Sequence, residues 1–156
     1  MKTMNEAFSH LLKDIYYAEN ALTKALPKAS AAATNKHLKA ALDAHLVETK
    51  AQVKMLDTVF ASIGEKPEGE KCDAIEGLIK ETDGLIKEAE GVALNASLLA
   101  AAQAIEHYEI ARYGTLREWA KVLGYDEAHA TLGTILDQEK AANSKLTAIA
   151  VSDINS

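Results

Sequence analysis

Five glutamates stand where a helical protein should be greasy. Each long helical stretch carries an apolar stripe at spacings of three and four, and each stripe holds one or two acids. The first runs Phe8, Leu11, Leu12, Ile15, Glu19, Leu22 and Leu26. The second runs Leu38, Leu42, His45, Glu48, Gln52 and Leu56, then Val59 or Phe60, and Ile63. The third runs Leu98, Leu99, Ala102, Glu106, Glu109, Tyr113, Leu116, Ala120 and Leu123. The fourth runs Leu132, Ile135, Leu136, Glu139, Ala142, Asn143, Leu146 and Ile149. If this phasing holds, four helices each bring a carboxylate into one core.

The punctuation between the stripes sets the expected elements. Thr3 and Glu6 have capping-box spacing, Pro27 should kink the first helix, and Thr34 with Asn35 reads as a turn and N-cap. Gly64 ends the second helix, and Glu65 to Lys71 is a polar loop with Pro and Gly. Asp73 opens a shorter helix weakened by Gly77 and Gly84. Asn95 caps the third long helix, Gly124 closes it, and Asp126 caps the last. These signals predict a single all-α domain over 1–156, with long helices at about 4–32, 36–63, 96–123 and 127–151. Residues 64–95 form a crossover containing a short helix, and the whole reads as a four-helix bundle of two antiparallel hairpins.

Depth along the helices makes the carboxylates meet. Glu19 and Glu48 lie 14 or 15 residues either side of a turn at 33 or 34, and Glu109 and Glu139 each lie 15 residues from Gly124. Glu106 is one turn from Glu109 on the same face. One glutamate alone reads as a solvated helix edge, since Glu is almost never fully buried unless paired. Taken together, the matched set demands compensation, because a buried unpaired charge costs several kcal/mol. Lys50, Lys54, Arg112 and Lys140 fall off the phased faces. Two cations would neutralise the cluster, and oxygen-rich ligation with at most one imidazole fits iron or manganese better than zinc or copper.

The neighbouring polar residues leave alternatives open. His45, three residues before Glu48, reads as a partner orienting Glu48 or a core histidine ahead of a direct ligand. Gln52 and Asn143 follow Glu48 and Glu139 by four, an offset that places hydrogen-bonding groups beside the acids. Tyr113, with Tyr16 and Tyr108, either lines the site or packs as an amphipathic aromatic. Trp119 reads as core, and His10, His37, His107 and His129 read as surface.

Composition narrows the class further. The 156 residues are 48% hydrophobic with 8 Gly and 2 Pro, a helical balance. A net charge of −6 offers nucleic acid and anionic membranes no general attraction. No run reaches the ~20 apolar residues of a membrane span, and Glu6, Lys13 and Asp14 interrupt the opening residues. The lone Cys72 excludes an internal disulfide. The expectation is a cytoplasmic protein. No nucleotide loop or Ser-His-Asp constellation is present.

The segments YYAENALTKALPK (16–28), HLVETKAQ (45–52), AIEHYEIARYGTL (104–116) and LDQEK (136–140) resemble the YciE/YciF-type stress proteins of the ferritin-like superfamily. The resemblance spans nearly the whole chain. It implies a ferritin-like bundle, a homodimer, and a rubrerythrin-like pair of iron ions, with manganese as the alternative. It maps Glu19, Glu48 and Glu139 onto helix carboxylates and Glu106 with Glu109 onto the ExxE pair. The superfamily's usual Glu-x-x-His is broken, since Ala51 and Ala142 stand where the histidines would be, and Asn143 stands where this family commonly has Asp. The expected function is a di-metal stress protein reacting with oxygen or peroxide. The alternative is a metal-binding or structural stress protein without turnover.

Overall fold

In the computed structural model, residues 1–155 are described. They form α1 (Met4–Ala32), α2 (Lys36–Ser62), α3 (Asp73–Glu88), α4 (Gly91–Leu123) and α5 (Asp126–Ile149), closed by a π-helical turn over Ala150–Ile154. No strand occurs among the described residues.

The helix ends follow local chemistry. Thr3 and Glu6 form a reciprocal capping box at α1, and the helix continues through Pro27. The Asn35 side chain accepts from the N–H groups of His37 and Leu38 at the start of α2. Gly64 (φ 74°) and Gly124 (φ 75°) take the left-handed conformation just past α2 and α4, where a side chain would be strained.

Three expected caps are placed differently. Cys72, not Asp73, caps α3, its sulfur accepting the Ile75 N–H at 3.4 Å. α4 starts at Gly91, five residues before the expected 96, so Asn95 lies inside it. The Asn95 carbonyl oxygen instead accepts from the N–H groups of Thr34 and Asn35, each at 3.0 Å. A backbone turn needs those donors satisfied, and a side chain 60 residues away satisfies them. Asp126 is the first residue of α5, whose cap position is Tyr125.

Contacts at the two ends set the helix directions. At one end Asn95 holds the α1–α2 turn, and Asp153 accepts from Asn35 at 2.7 Å and pairs with His37 at 2.7 Å. At the other end the ring of Phe8 packs against Tyr125, with centroids 5.6 Å apart. α1 and α5 therefore run one way, and α2 and α4 the other. α1 and α5 each pack against both α2 and α4. α3 lies along α1 and α4, fixed to α1 by Tyr17–Glu76 and Lys28–Asp83, both 2.6 Å.

Apolar side chains fill the interior above and below one polar layer. Phe8, Leu12, Phe60, Leu116 and Leu132 are buried towards the Tyr125 end. Leu26, Leu38, Leu98 and Leu146 are buried towards the Asn95 end. Each such side chain contributes about 1.5–3 kcal/mol of burial energy. That surplus lets the middle layer be something other than hydrophobic.

Candidate metal centre

The middle layer is acidic. Glu19, Glu109 and Glu139 are each 0% exposed and Glu106 is 2% exposed. Each carries at least one carboxyl oxygen without a hydrogen-bond partner: Oε2 of Glu19, Glu106 and Glu139, and both oxygens of Glu109. Groups this buried are almost always paired in proteins.

His45 joins them. Its imidazole is 8% exposed, and neither ring nitrogen has a hydrogen-bond partner. Nδ1 stands 3.4 Å from Glu106 Oε1, and Nε2 stands 3.8 Å from Glu109 Oε2. His45, Glu106, Glu109 and Glu139 each offer an atom within 4.8 Å of the others, the span of a single ion's ligand shell. Sequence reasoning placed His45 behind Glu48, yet the structure places it against the two α4 carboxylates.

Glu48 is the residue that stands apart. It is half-buried, and the adjoining Thr49 is fully buried instead. The α2 face that turns inward runs His45, Thr49, Gln52 and Leu56. The expected stripe stepped from 45 to 48, whereas the helix buries the step of four. Thr49 was therefore missed, and its hydroxyl is a further buried group without a partner. Glu48 sits at the edge of the layer with Lys145 nearby, a cation that the stripes did not place there.

The remaining polar neighbours hold single acids. Tyr113, buried on α4, donates its hydroxyl to Glu19 Oε1. Gln52 donates its amide to Glu139 Oε1, and also to Gln138 at 3.2 Å. Asn143, expected beside the acids, is half-buried and accepts from Gln103 at 3.2 Å, bridging α5 to α4. Tyr108 lies on the far side of α4, donating to Asp14 at 2.6 Å, 2.9 Å from the Cys72 sulfur and beneath the Arg112 guanidinium. Tyr16 donates to Asp57 at 2.9 Å, and Trp119 is half-buried.

Burial dominates the electrostatics. It raises Glu19 to about 8, with the charge of Glu139 adding to it and the Tyr113 hydroxyl opposing. Glu106 is pushed up to about 10 by burial, then by Glu139. Glu139 rises to about 7, burial outweighing the hydrogen bonds from Glu106 and Gln52. Glu109 lies well above its ordinary range through burial and then the charges of Glu19 and Glu139. Burial lowers His45 to about 4, so its imidazole is neutral near pH 7. A neutral imidazole and unpartnered carboxyl oxygens, all converging, are a donor set that a divalent ion fits.

The family model described as "Domain of unknown function (DUF892)" matches residues 3–156. This chain belongs to that family. Protein YciF of Escherichia coli (strain K12) is 45% identical over 157 residues, covering 99% of this chain and 95% of YciF. The crystal structure of the E. coli stress protein YciF superposes with a TM-score of 0.95 over 99% of both chains. YcfI from Rhodopseudomonas palustris, described as a proposed structural protein, shares 52% identity and a TM-score of 0.91 over 94% of both chains. The described residues of this chain thus form the same all-helical fold as the YciF structure. None of its described helices is long and apolar enough to cross a membrane.

Proposed function

We propose that this protein is a ferritin-like four-helix bundle whose central layer holds two iron ions, with manganese as the alternative, and that it reacts with oxygen or peroxide. One observation carries the reading: four buried carboxylates and a buried imidazole converge with most of their donor atoms unpartnered. Without a cation, that layer opposes folding. With one, the same atoms are ligands.

His45, Glu106, Glu109 and Glu139 would hold one ion. Glu19, with Glu48, Glu109 and Glu139, would hold the other. When bound, iron supplies one-electron redox chemistry towards oxygen or peroxide. The chain's own residues orient and insulate. Tyr113 fixes the rotamer of Glu19, Gln52 fixes Glu139, and the leucines above and below close the layer off along the bundle axis.

The experiment is elemental analysis of protein purified without chelator, alongside Glu109→Ala, followed by ferrous oxidation kinetics. About two equivalents of iron or manganese per chain, lost in the variant, support the dinuclear model. Oxidation no faster than in buffer removes the redox half of the proposal.

A second reading has its own support. YcfI is described as a proposed structural protein, and this chain lacks the Glu-x-x-His histidines. In that reading the ions stabilise the bundle without turnover. The stress association is carried from YciF, and a cytoplasmic homodimer completes the proposal.

A further inference from the structure

A cavity of about 530 Å³ opens between α2 and α5 and ends on the acidic layer. Its floor holds His45 and Glu106. Its walls include Ala102 and Ile105 of α4, Ala142 and Leu146 of α5, and Leu26 of α1. Val47, 70% exposed, stands at the mouth, where Glu48 and Lys145 also lie.

The size does not match a small inorganic oxidant. Dioxygen or hydrogen peroxide fills a space comparable to a water's share of liquid, about 30 Å³. The cavity is more than ten times larger and falls in the range of pockets for small organic molecules, about 300–1,000 Å³. Ala142, three residues after Glu139, is one of the small side chains that line it, and with Ala41, Ala102 and Ala141 its methyl group leaves room in the passage beside the floor. The imidazole of His45, more than nine-tenths buried and without a partner on either nitrogen, lines that passage, as does Glu106, whose Oε2 is equally free.

We propose that this cavity binds an uncharged organic molecule with an apolar body and one hydroxyl- or hydroperoxyl-type head, the head facing the acidic layer beside His45 and Glu106. The walls give the body its burial, and in the metal-free protein a single polar head also satisfies donors and acceptors that the fold leaves open. In that metal-free state an anionic head is disfavoured, because the only cation among the lining residues is Lys145, shared with Glu48 at the rim. The inference deepens the redox reading by naming an organic substrate class. It is tested without metal, so that the two stand or fall separately.

The probe is 2-phenyl-2-propanol, the redox-inert alcohol of an aralkyl hydroperoxide, titrated into metal-free full-length protein and followed by methyl and imidazole NMR shifts. Saturable shifts at Ala102, Ala142 and His45 are expected, and Ala142→Phe should weaken binding at least tenfold. Ala102→Leu narrows the same passage from α4 and serves if the first variant melts early. Benzoate, matched in size but charged, should bind at least tenfold more weakly. Absence of saturable shifts, or shifts unchanged in both variants, overturns the pocket, and benzoate binding equal to the alcohol overturns the uncharged head. Binding of the alcohol by a protein that takes up no metal leaves this inference standing and removes the redox reading.

Discussion

His45 Nε2 stands 3.8 Å from Glu109 Oε2, and neither atom has a hydrogen-bond partner. Donors about 2.1 Å from a shared ion lie roughly 3–4 Å from each other, so the pair already has the separation of two ligands. Replacing His45 with Ala should lower metal affinity by more than the ~10–100-fold typical of a supporting residue. Glu48→Ala should cost less, because Glu48 waits at the edge of the layer rather than within it. Metal titrations of both variants check the order. A larger loss from Glu48→Ala would put the centre nearer the α2 shoulder than the α4 face.

Tyr113 is the buried hydroxyl that reaches Glu19. Its removal in Tyr113→Phe leaves a carboxyl oxygen in a dry interior without a donor, while keeping ring volume. An orphaned buried group of this kind costs about 1–3 kcal/mol. The metal-free variant should be less stable than the parent by that margin and melt earlier, and bound metal should narrow the gap by satisfying the same oxygen. Thermal unfolding with and without ferrous ion measures both. An equal deficit in the two states would mean that the oxygen is not a ligand.

Much of this architecture is legible in the stripes, and the reason is chemical. Long runs at helical spacing, broken by Gly64 and Gly124, leave few choices of element. The acids at 19, 106, 109 and 139 are visible because each interrupts an apolar stripe, although Glu48 does so too and sits at the edge. What stays hidden is rotation and reach. Position 48 and position 49 differ by 100° of helix rotation, and a stripe with three polar members in succession gives no hydrophobic residue to fix the phase. Thr49, four after His45 and three before Gln52, fits that face by spacing as well as Glu48, three after and four before. Reach hid Asn95, whose side chain caps a turn 60 residues away instead of its own helix. No local pattern announces a cap given to another segment. The Glu48–Lys145 neighbourhood was hidden for the same reason, since it forms only when α2 meets α5.

The acidic layer makes metal-free stability depend on pH with a definite sign. Glu139, Glu19 and Glu106 have folded-state values of about 7, 8 and 10, each raised above the ordinary 4.5. A raised carboxyl favours folding fully below 4.5 and loses that advantage as pH climbs towards the folded value, because the unfolded chain releases its proton first. His45 acts oppositely. Lowered to about 4, it weakens the fold only as pH falls below 6.5. Between pH 6.5 and 8 the carboxyls act alone, so the melting temperature of the metal-free protein should fall across that window. Glu106→Gln should flatten the slope, since an amide has no proton to lose. Rising stability from pH 6.5 to 8 would contradict the protonated layer.

Asn95 offers a control that touches the fold and spares the centre. Its carbonyl holds the Thr34 and Asn35 N–H groups, and its amide donates to the Thr34 hydroxyl at 2.7 Å. Asn95→Ala removes these three bonds, and a longer one from its amide to the Gly91 carbonyl at 3.4 Å, at the end where α1, α2, α4 and the closing turn meet. Loss of a cap costs about 0.5–2 kcal/mol, and the two backbone donors released here place the variant in the upper half of that range. The acidic layer lies three turns away along α4, towards Glu106, so metal stoichiometry and affinity should stay at the parent's values. Equilibrium denaturation paired with metal titration reads the two effects separately. A variant that keeps its stability would show that water satisfies the turn as well as Asn95 does, and one that loses metal would show that the α1–α2 turn and the acidic layer are mechanically coupled.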